Sequence, residues 1–317
     1  MIPVRPEIDP ELVELLGQMP EMPQLDGETL EHIRPFARTP IDPVLEGRAV
    51  RRSELTMMTL DGSEIPISVF SPDRPADSAP CIVWLHGGGM VMGDRFSQID
   101  IPLEWLEQLG AVVVSIEYRL APEATGMTPV EDAYAGLLWV AEHADELEID
   151  PLRIVIAGPS AGGGLAAGVA LMARDKSTLR LAAQVLICPM LDHRNVTTSS
   201  RQYTGPGVWS REMNEFGWRS VLGGPTGSEV PSYVSPAMAE DLTGLPTTYI
   251  DAGSAEVFRD EDVEYAGRIW AAGGQVELHI WAGGFHGFDS LFPQAALSKS
   301  SRRTRTAWLA KVLAVVS

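Results

Sequence analysis

Short apolar runs alternate along most of this chain with longer stretches in which apolar residues recur every third or fourth position. The runs "CIVWLH" (81–86), "AVVVSIEY" (111–118), "RIVIAG" (153–158) and "AQVLICP" (183–189) are almost wholly apolar, the pattern of strands buried on both faces, and the rhythm resumes with "TTYIDAG" (247–253). "QVELHIW" (275–281) adds a further strand. Helical spacing fills the intervals at about 96–109, 129–147, 161–175 and 257–272, and again from about 293. In "VEDAYAGLLWVAEHADEL", for instance, Ala133, Leu137, Val140 and Ala141 fall on one helical face. Strands and helices in strict alternation predict a parallel sheet covered on both sides.

Three stretches depart from that rhythm. "SELTMMTL" and "EIPISVF", separated by Asp61-Gly62, read as a hairpin ahead of those apolar runs. Residues 1–48 are rich in proline and acids, with short helical patterns at Glu11–Gly17 and Glu28–Arg38, and read as an appendage without its own core. Residues 190–235 carry Gly, Pro, Ser and Thr with scattered aromatics and are too long for a bare loop, so they read as an excursion with its own helices. The expected division is an appendage (1–48), a main α/β domain (49–189 and 236–317) and an insertion (190–235).

Charge narrows the function. The chain of 317 residues carries a net charge of −19, which repels a phosphate backbone or an anionic bilayer and excludes nucleic-acid and membrane partners from the expectation. No signal-peptide pattern or membrane span is read, and Cys81 and Cys188 lie in apolar runs without CxxC spacing. The expectation is a cytoplasmic protein with buried free thiols, no metal and no organic cofactor.

Chemistry concentrates around "IAGPSAGGG" (156–164), where Gly158-Pro159-Ser160-Ala161-Gly162 joins a predicted strand to a predicted helix. Such a turn strains the serine backbone, demands small neighbours and lifts the hydroxyl to the carboxyl end of the sheet beside a helix N-terminus. A serine needs a base and an orienting acid. Of six histidines, His32 and His143 read as surface residues, His193 as polar bracing and His279 as a strand-face residue. His286, in "GGFHGF" just past a strand, is the expected base. His86 opens "HGGGM", whose glycine N–H groups suit an oxyanion hole, where one donor contributes on the order of 3 kcal/mol; His86 itself is expected to brace the loop. For the acid, "SAEVFRDED" and its strand offer Asp251, Glu256, Asp260, Glu261 and Asp262, and spacing alone does not choose.

"HGGGM" (86–90), "YRLAPE" (118–123), "GPSAGG" (158–163), "SPAMAEDLTGLP" (235–246) and "HGF" (286–288), in this order, resemble the bacterial hormone-sensitive-lipase-like esterases, family IV of the α/β-hydrolase superfamily, over roughly residues 50–317. The resemblance implies an eight-stranded, mostly parallel sheet with a helical cap built from 1–48 and 190–235. It implies Ser160 as nucleophile, His286 as general base, and the N–H groups of Gly88, Gly89 and Ala161 as the oxyanion hole. Ungapped alignment on "FRDE" puts Glu256 where the family has aspartate, with Asp260 next in line; Pro159 is a second departure that touches no essential chemistry.

The implied activity is hydrolysis of short-chain carboxylic esters through an acyl-enzyme, with Met90, Trp209 and Trp218 as candidate pocket residues. A small-molecule ester is the expected partner, and a homodimer is carried over from the family. Acyl transfer or amide hydrolysis on the same triad is the alternative, and a non-catalytic receptor on this fold is the rival from another class.

Overall fold

In the computed structural model, which describes residues 4–20, 23–73, 78–224 and 229–315, the apolar runs become one eight-stranded sheet. Its strands are β1 (Val50–Met58), β2 (Glu64–Pro72), β3 (Ala79–Trp84), β4 (Val112–Ile116), β5 (Ile149–Pro159), β6 (Ala183–Ile187), β7 (Thr247–Ala255) and β8 (Val276–Phe285). They lie in the order β1-β2-β4-β3-β5-β6-β7-β8. The expected hairpin is β1–β2, which pairs antiparallel to β4; every pair from β4 onward is parallel.

The helices of the appendage are α1 (Pro10–Leu16), α2 (Leu30–Ile33) and α3 (Ile41–Leu45). Along the sheet run α4 (Asp100–Leu109), α5 (Thr128–Glu142) and α6 (Ala161–Lys176). Next come α7 (Thr198–Gln202) and α8 (Arg211–Leu222) between β6 and β7, then α9 (Arg259–Ala271), α10 (Phe288–Leu291) and α11 (Ala296–Val315). Each strand residue points to one face or the other with period two, which is why the central strands are apolar throughout. In β3, Cys81 and Val83 join the core beneath α5, α6 and α9, while Ile82 and Trp84 join the core beneath α4 and α11. In β5, Ile154 and Ile156 take the first side, Val155 and Ala157 the second.

Three local differences from the periodic pattern have simple causes. The stretch expected as one helix over Glu28–Arg38 is α2 followed by a 3-10 turn at Arg34–Ala37, because Pro35 has no N–H to continue the ladder. The helix expected from about 96 begins at Asp100, since Asp94 and Ser97 first close a turn through their own side chains. Helix α3, without a clear apolar period, was not foreseen.

The appendage is tied down at two points that matter for the site. Asp9 caps α1 by accepting from the N–H of Glu11 at 2.9 Å, and its own N–H donates to the carbonyl of Gly283 at 3.0 Å. Leu12 then packs with Phe285 and Phe288, on either side of His286. Arg34 donates to the carbonyls of Val91 and Ala121 and pairs with Glu123 at 2.7 Å, just past the glycine loop. Among the described residues no helix is long and apolar enough to cross a membrane.

Candidate active site

Ser160 stands between the last residue of β5 and the first of α6, with φ 55° and ψ −121°, a conformation a non-glycine residue holds only when its surroundings impose it. Its N–H donates to the carbonyl of Ile187 at 2.7 Å, and its carbonyl accepts from Gly164 at 3.0 Å and Met190 at 2.9 Å. The turn closes because its neighbours lack side chains. A Cβ on Gly158 would lie 2.4 Å, and one on Gly162 1.9 Å, from the carbonyl oxygen of Leu85. The strand order sets β5 between β3 and β6, so the loops after β3, β7 and β8 gather round the serine at the carboxyl ends of the strands.

Those loops deliver the partners. His286 Nε2 lies 3.0 Å from Ser160 Oγ, and its Nδ1 lies 2.6 Å from Glu256 Oε2. The other carboxylate oxygen of Glu256 accepts from the N–H of Gly253 at 2.7 Å. All three side chains are buried. Of the acids left open by spacing, Asp260 is engaged elsewhere: it accepts from the N–H of Ser199 at 2.7 Å and pairs with Arg259, fastening α7 to α9. Glu261 accepts from the N–H groups of Leu191 and Asp192 at 2.8 and 3.0 Å, anchoring the start of the excursion.

The glycine loop follows β3 and sits over the serine. Gly88 and Gly89 have φ of 116° and 64°, open to glycine and strained for other residues. Among the described residues, the N–H groups of Gly88, Gly89 and Ala161 donate to no protein acceptor. His86 is fully buried, stacks on Tyr118 at 4.3 Å, and its carbonyl accepts from the Tyr118 hydroxyl at 2.7 Å. His193 bonds Ser235 at 2.9 Å, and His279 stacks on Tyr249.

Of the three candidate pocket residues, Trp209 lies beside Gly89 and His286. Its ring lies so close to Gly89 that a Cβ there would come within 2.4 Å of Cη2, and its centroid is 6.2 Å from that of His286. Met90 and Trp218 are 1% and 0% exposed within the core, Trp218 edge-on to His193.

Sequence reasoning missed Arg305. It is 1% exposed and donates to Asp251 at 2.8 Å and to Asp289 at 3.1 Å; Asp251 also accepts from Trp281 Nε1 at 3.1 Å. Asp251 precedes the Glu256 loop and Asp289 follows His286, so one guanidinium on α11 braces the loops carrying Glu256 and His286. In "SRRTRTAWLA" nothing but a charge in an otherwise helical pattern marks it.

Asp262 is the least satisfied group near the site: fully buried, with neither carboxylate oxygen hydrogen-bonded among the described residues. Burial, reinforced by the charges of Glu256 and Glu261, holds its pKa well above the ordinary carboxylate value. The native state therefore keeps a proton that the unfolded chain releases near pH 4. Stability from this group is full below that pH and is lost, at about 1.4 kcal/mol per unit, as pH rises toward the native pKa. Asp262→Asn is expected to raise the melting temperature more at pH 8 than at pH 5, measured by scanning calorimetry. An equal change at both pH values would contradict the buried proton.

A family model described as alpha/beta hydrolase fold matches residues 82–290. Esterase LipI of Mycobacterium tuberculosis is 31% identical over 302 residues, covering 92% of this chain and 92% of its own length. Carboxylesterase NlhH of the same species is 32% identical over 301 residues, covering 92% and 93%. Among solved structures, a bacterial heroin esterase superposes with a TM-score of 0.89 at 38% identity, covering 96% of this chain and 98% of that one. Esterase LipW from Mycobacterium marinum gives 0.86 at 31%, covering 97% and 98%.

Proposed function

Since this chain belongs to the α/β-hydrolase fold family, in its hormone-sensitive-lipase-like branch, and is a carboxylesterase, we propose a serine mechanism for it. Ser160 is the nucleophile, His286 the general base and Glu256 the acid that orients it. The observation that carries this reading is the pair of contacts on one imidazole, Nε2 to Ser160 Oγ at 3.0 Å and Nδ1 to Glu256 Oε2 at 2.6 Å. As Oγ attacks the ester carbonyl, Nε2 takes its proton, and Glu256 stabilises the imidazolium formed. The oxyanion is met by the N–H groups of Gly88, Gly89 and Ala161. Collapse expels the alcohol, which takes the proton back from Nε2. Water, deprotonated at the same nitrogen, then cleaves the acyl-enzyme and releases the acid.

Residues 1–48 and 190–235 act as the cap on a catalytic domain of 49–189 and 236–317. In support, α1 packs beside the His286 loop and Trp209 of the excursion packs on Gly89. The two free, buried cysteines fit a reducing cytoplasm, and a homodimer is the proposed assembly.

Trp209 sets the acyl preference. With its ring packed between Gly89 and His286, a long acyl chain has to displace it, a repacking of roughly 1–3 kcal/mol. Across p-nitrophenyl esters from acetate to palmitate, kcat/KM is expected to peak at acetate or butyrate and to fall by about tenfold or more by dodecanoate. A profile level out to palmitate would remove the short-chain assignment. Carrying out the same assay with added alcohols or amines separates hydrolysis from acyl transfer through the products formed.

A further inference from the structure

Cys188 has no part in the mechanism above, yet it lies directly against the catalytic pair. One ligand atom from each of Cys188, Glu256 and His286 lies within 4.8 Å of the other two. The three residues are 5%, 2% and 9% exposed. The thiol is held in place by its own backbone, which turns through φ 38° just past β6 and donates its N–H to the carbonyl of Asp251 at 2.6 Å. From these positions we infer an inhibitory site for a thiophilic divalent cation such as zinc, formed by Cys188 Sγ, a Glu256 carboxylate oxygen and His286 Nδ1. The inhibition, though not the binding, rests on the serine mechanism proposed above.

Geometry and charge both favour such an occupant. Tetrahedral zinc with sulfur at about 2.3 Å and nitrogen or oxygen at about 2.0–2.2 Å needs ligand atoms about 3.3–3.6 Å apart. The trio lies within 4.8 Å at present, so the sulfur has to close in by about an ångström while the 2.6 Å His286–Glu256 contact opens by a similar amount. A cavity of about 10 Å³, lined by Cys188 and Glu256 among others, adjoins the trio, and that is close to the space one water needs as a fourth ligand. The thiolate and the carboxylate together neutralise the dication. Asp251 and Asp289, both paired with Arg305, stand in the same surroundings, and Arg302 donates to the Asp289 carbonyl.

On binding, metal–sulfur, metal–nitrogen and metal–oxygen bonds form, and the thiol and Nδ1 protons leave to solvent without any change in oxidation state. The cation then occupies the place of the proton that links His286 to Glu256. The imidazole can no longer be steered or stabilised by Glu256, and turnover stops. The thiol supplies what distinguishes this site from any other histidine–carboxylate pair, since sulfur is the softest of the three ligands.

The test titrates zinc chloride into a short-chain ester assay of the wild-type enzyme and the Cys188→Ala and Cys188→Ser variants. In parallel, cobalt chloride is added to each and followed by absorption spectroscopy. The wild type is expected to lose activity at micromolar zinc, to recover it with a chelator, and to develop a thiolate-to-cobalt charge-transfer band. Both variants are expected to keep their basal activity, to lack the band, and to need about tenfold or more zinc for the same inhibition. Equal zinc sensitivity in the variants, or no thiolate band in the wild type, overturns the site. A band that appears without loss of activity upholds the metal site and tells instead against the serine mechanism.

Discussion

The Ser160→Ala enzyme is expected to lose on the order of 10⁶ in kcat, as removal of a catalytic serine does when the whole acyl-transfer apparatus depends on it. Alanine retains the backbone bonds at this position, Ser160 N–H to Ile187 and its carbonyl to Gly164 and Met190, none of which involves the hydroxyl. Among the described residues, the only side-chain bond lost is the one to His286 at 3.0 Å. The melting temperature and KM should therefore change little while kcat collapses, a split that separates chemistry from folding. The measurement is steady-state hydrolysis of p-nitrophenyl acetate, with the mutant expressed in a host lacking background esterase activity. Comparable turnover in mutant and wild type would reduce Ser160 to a turn residue and bring forward the receptor reading of the fold.

Glu256→Gln is the second large effect, expected at about 10⁴ in kcat, the scale seen when the orienting carboxylate of a serine triad becomes an amide. Glutamine keeps the size and one acceptor but loses the charge that stabilises the imidazolium. Its amide nitrogen, turned toward Nδ1, also favours the wrong tautomer. Glu256→Asp keeps the charge on a shorter arm. The present 2.6 Å contact to Nδ1 then lengthens unless the loop follows, and a loss smaller than that of the amide is expected. Asp260→Asn supplies the contrast. Asp260 bonds Ser199 and Arg259, so its loss should loosen α7 and leave kcat within a few-fold of wild type. If Asp260→Asn falls as far as Glu256→Gln in the same assay, Glu256 is the wrong acid.

The contrast between those two acids shows how far the chain could be read unaided. Both lie in the short stretch between β7 and the first turn of α9, and both carry the same charge. Sequence spacing left them as alternatives; only the path of the loop decides that one meets His286 and the other caps the excursion's first helix. Trp209 and Trp218 present the same case, two tryptophans nine residues apart in one irregular segment. One ring covers Gly89 beside His286 and the other is sealed in the core. Arg305 was invisible for a related reason: an arginine on an amphipathic helix is ordinarily solvated, and its burial depends on two aspartates 54 and 16 positions away.

What the sequence determined by itself was local in its physics. Period-two and helical spacing set the strands and helices, because side-chain direction follows from backbone geometry within a few residues. The serine elbow was legible because a strand-to-helix turn admits only small neighbours, and the glycine loop because backbone N–H groups are uncovered best where side chains are absent. The tertiary structure alone decided that Glu256 and not Asp260 touches His286, that the Trp209 ring lies beside it, that Arg305 joins the loops of Glu256 and His286, and that Cys188 stands near both. Those facts depend on strand order and loop path, which place residues far apart in the chain within a few ångströms of one another. No periodicity encodes that closeness, because it arises only when the whole sheet is assembled and its apolar faces are covered.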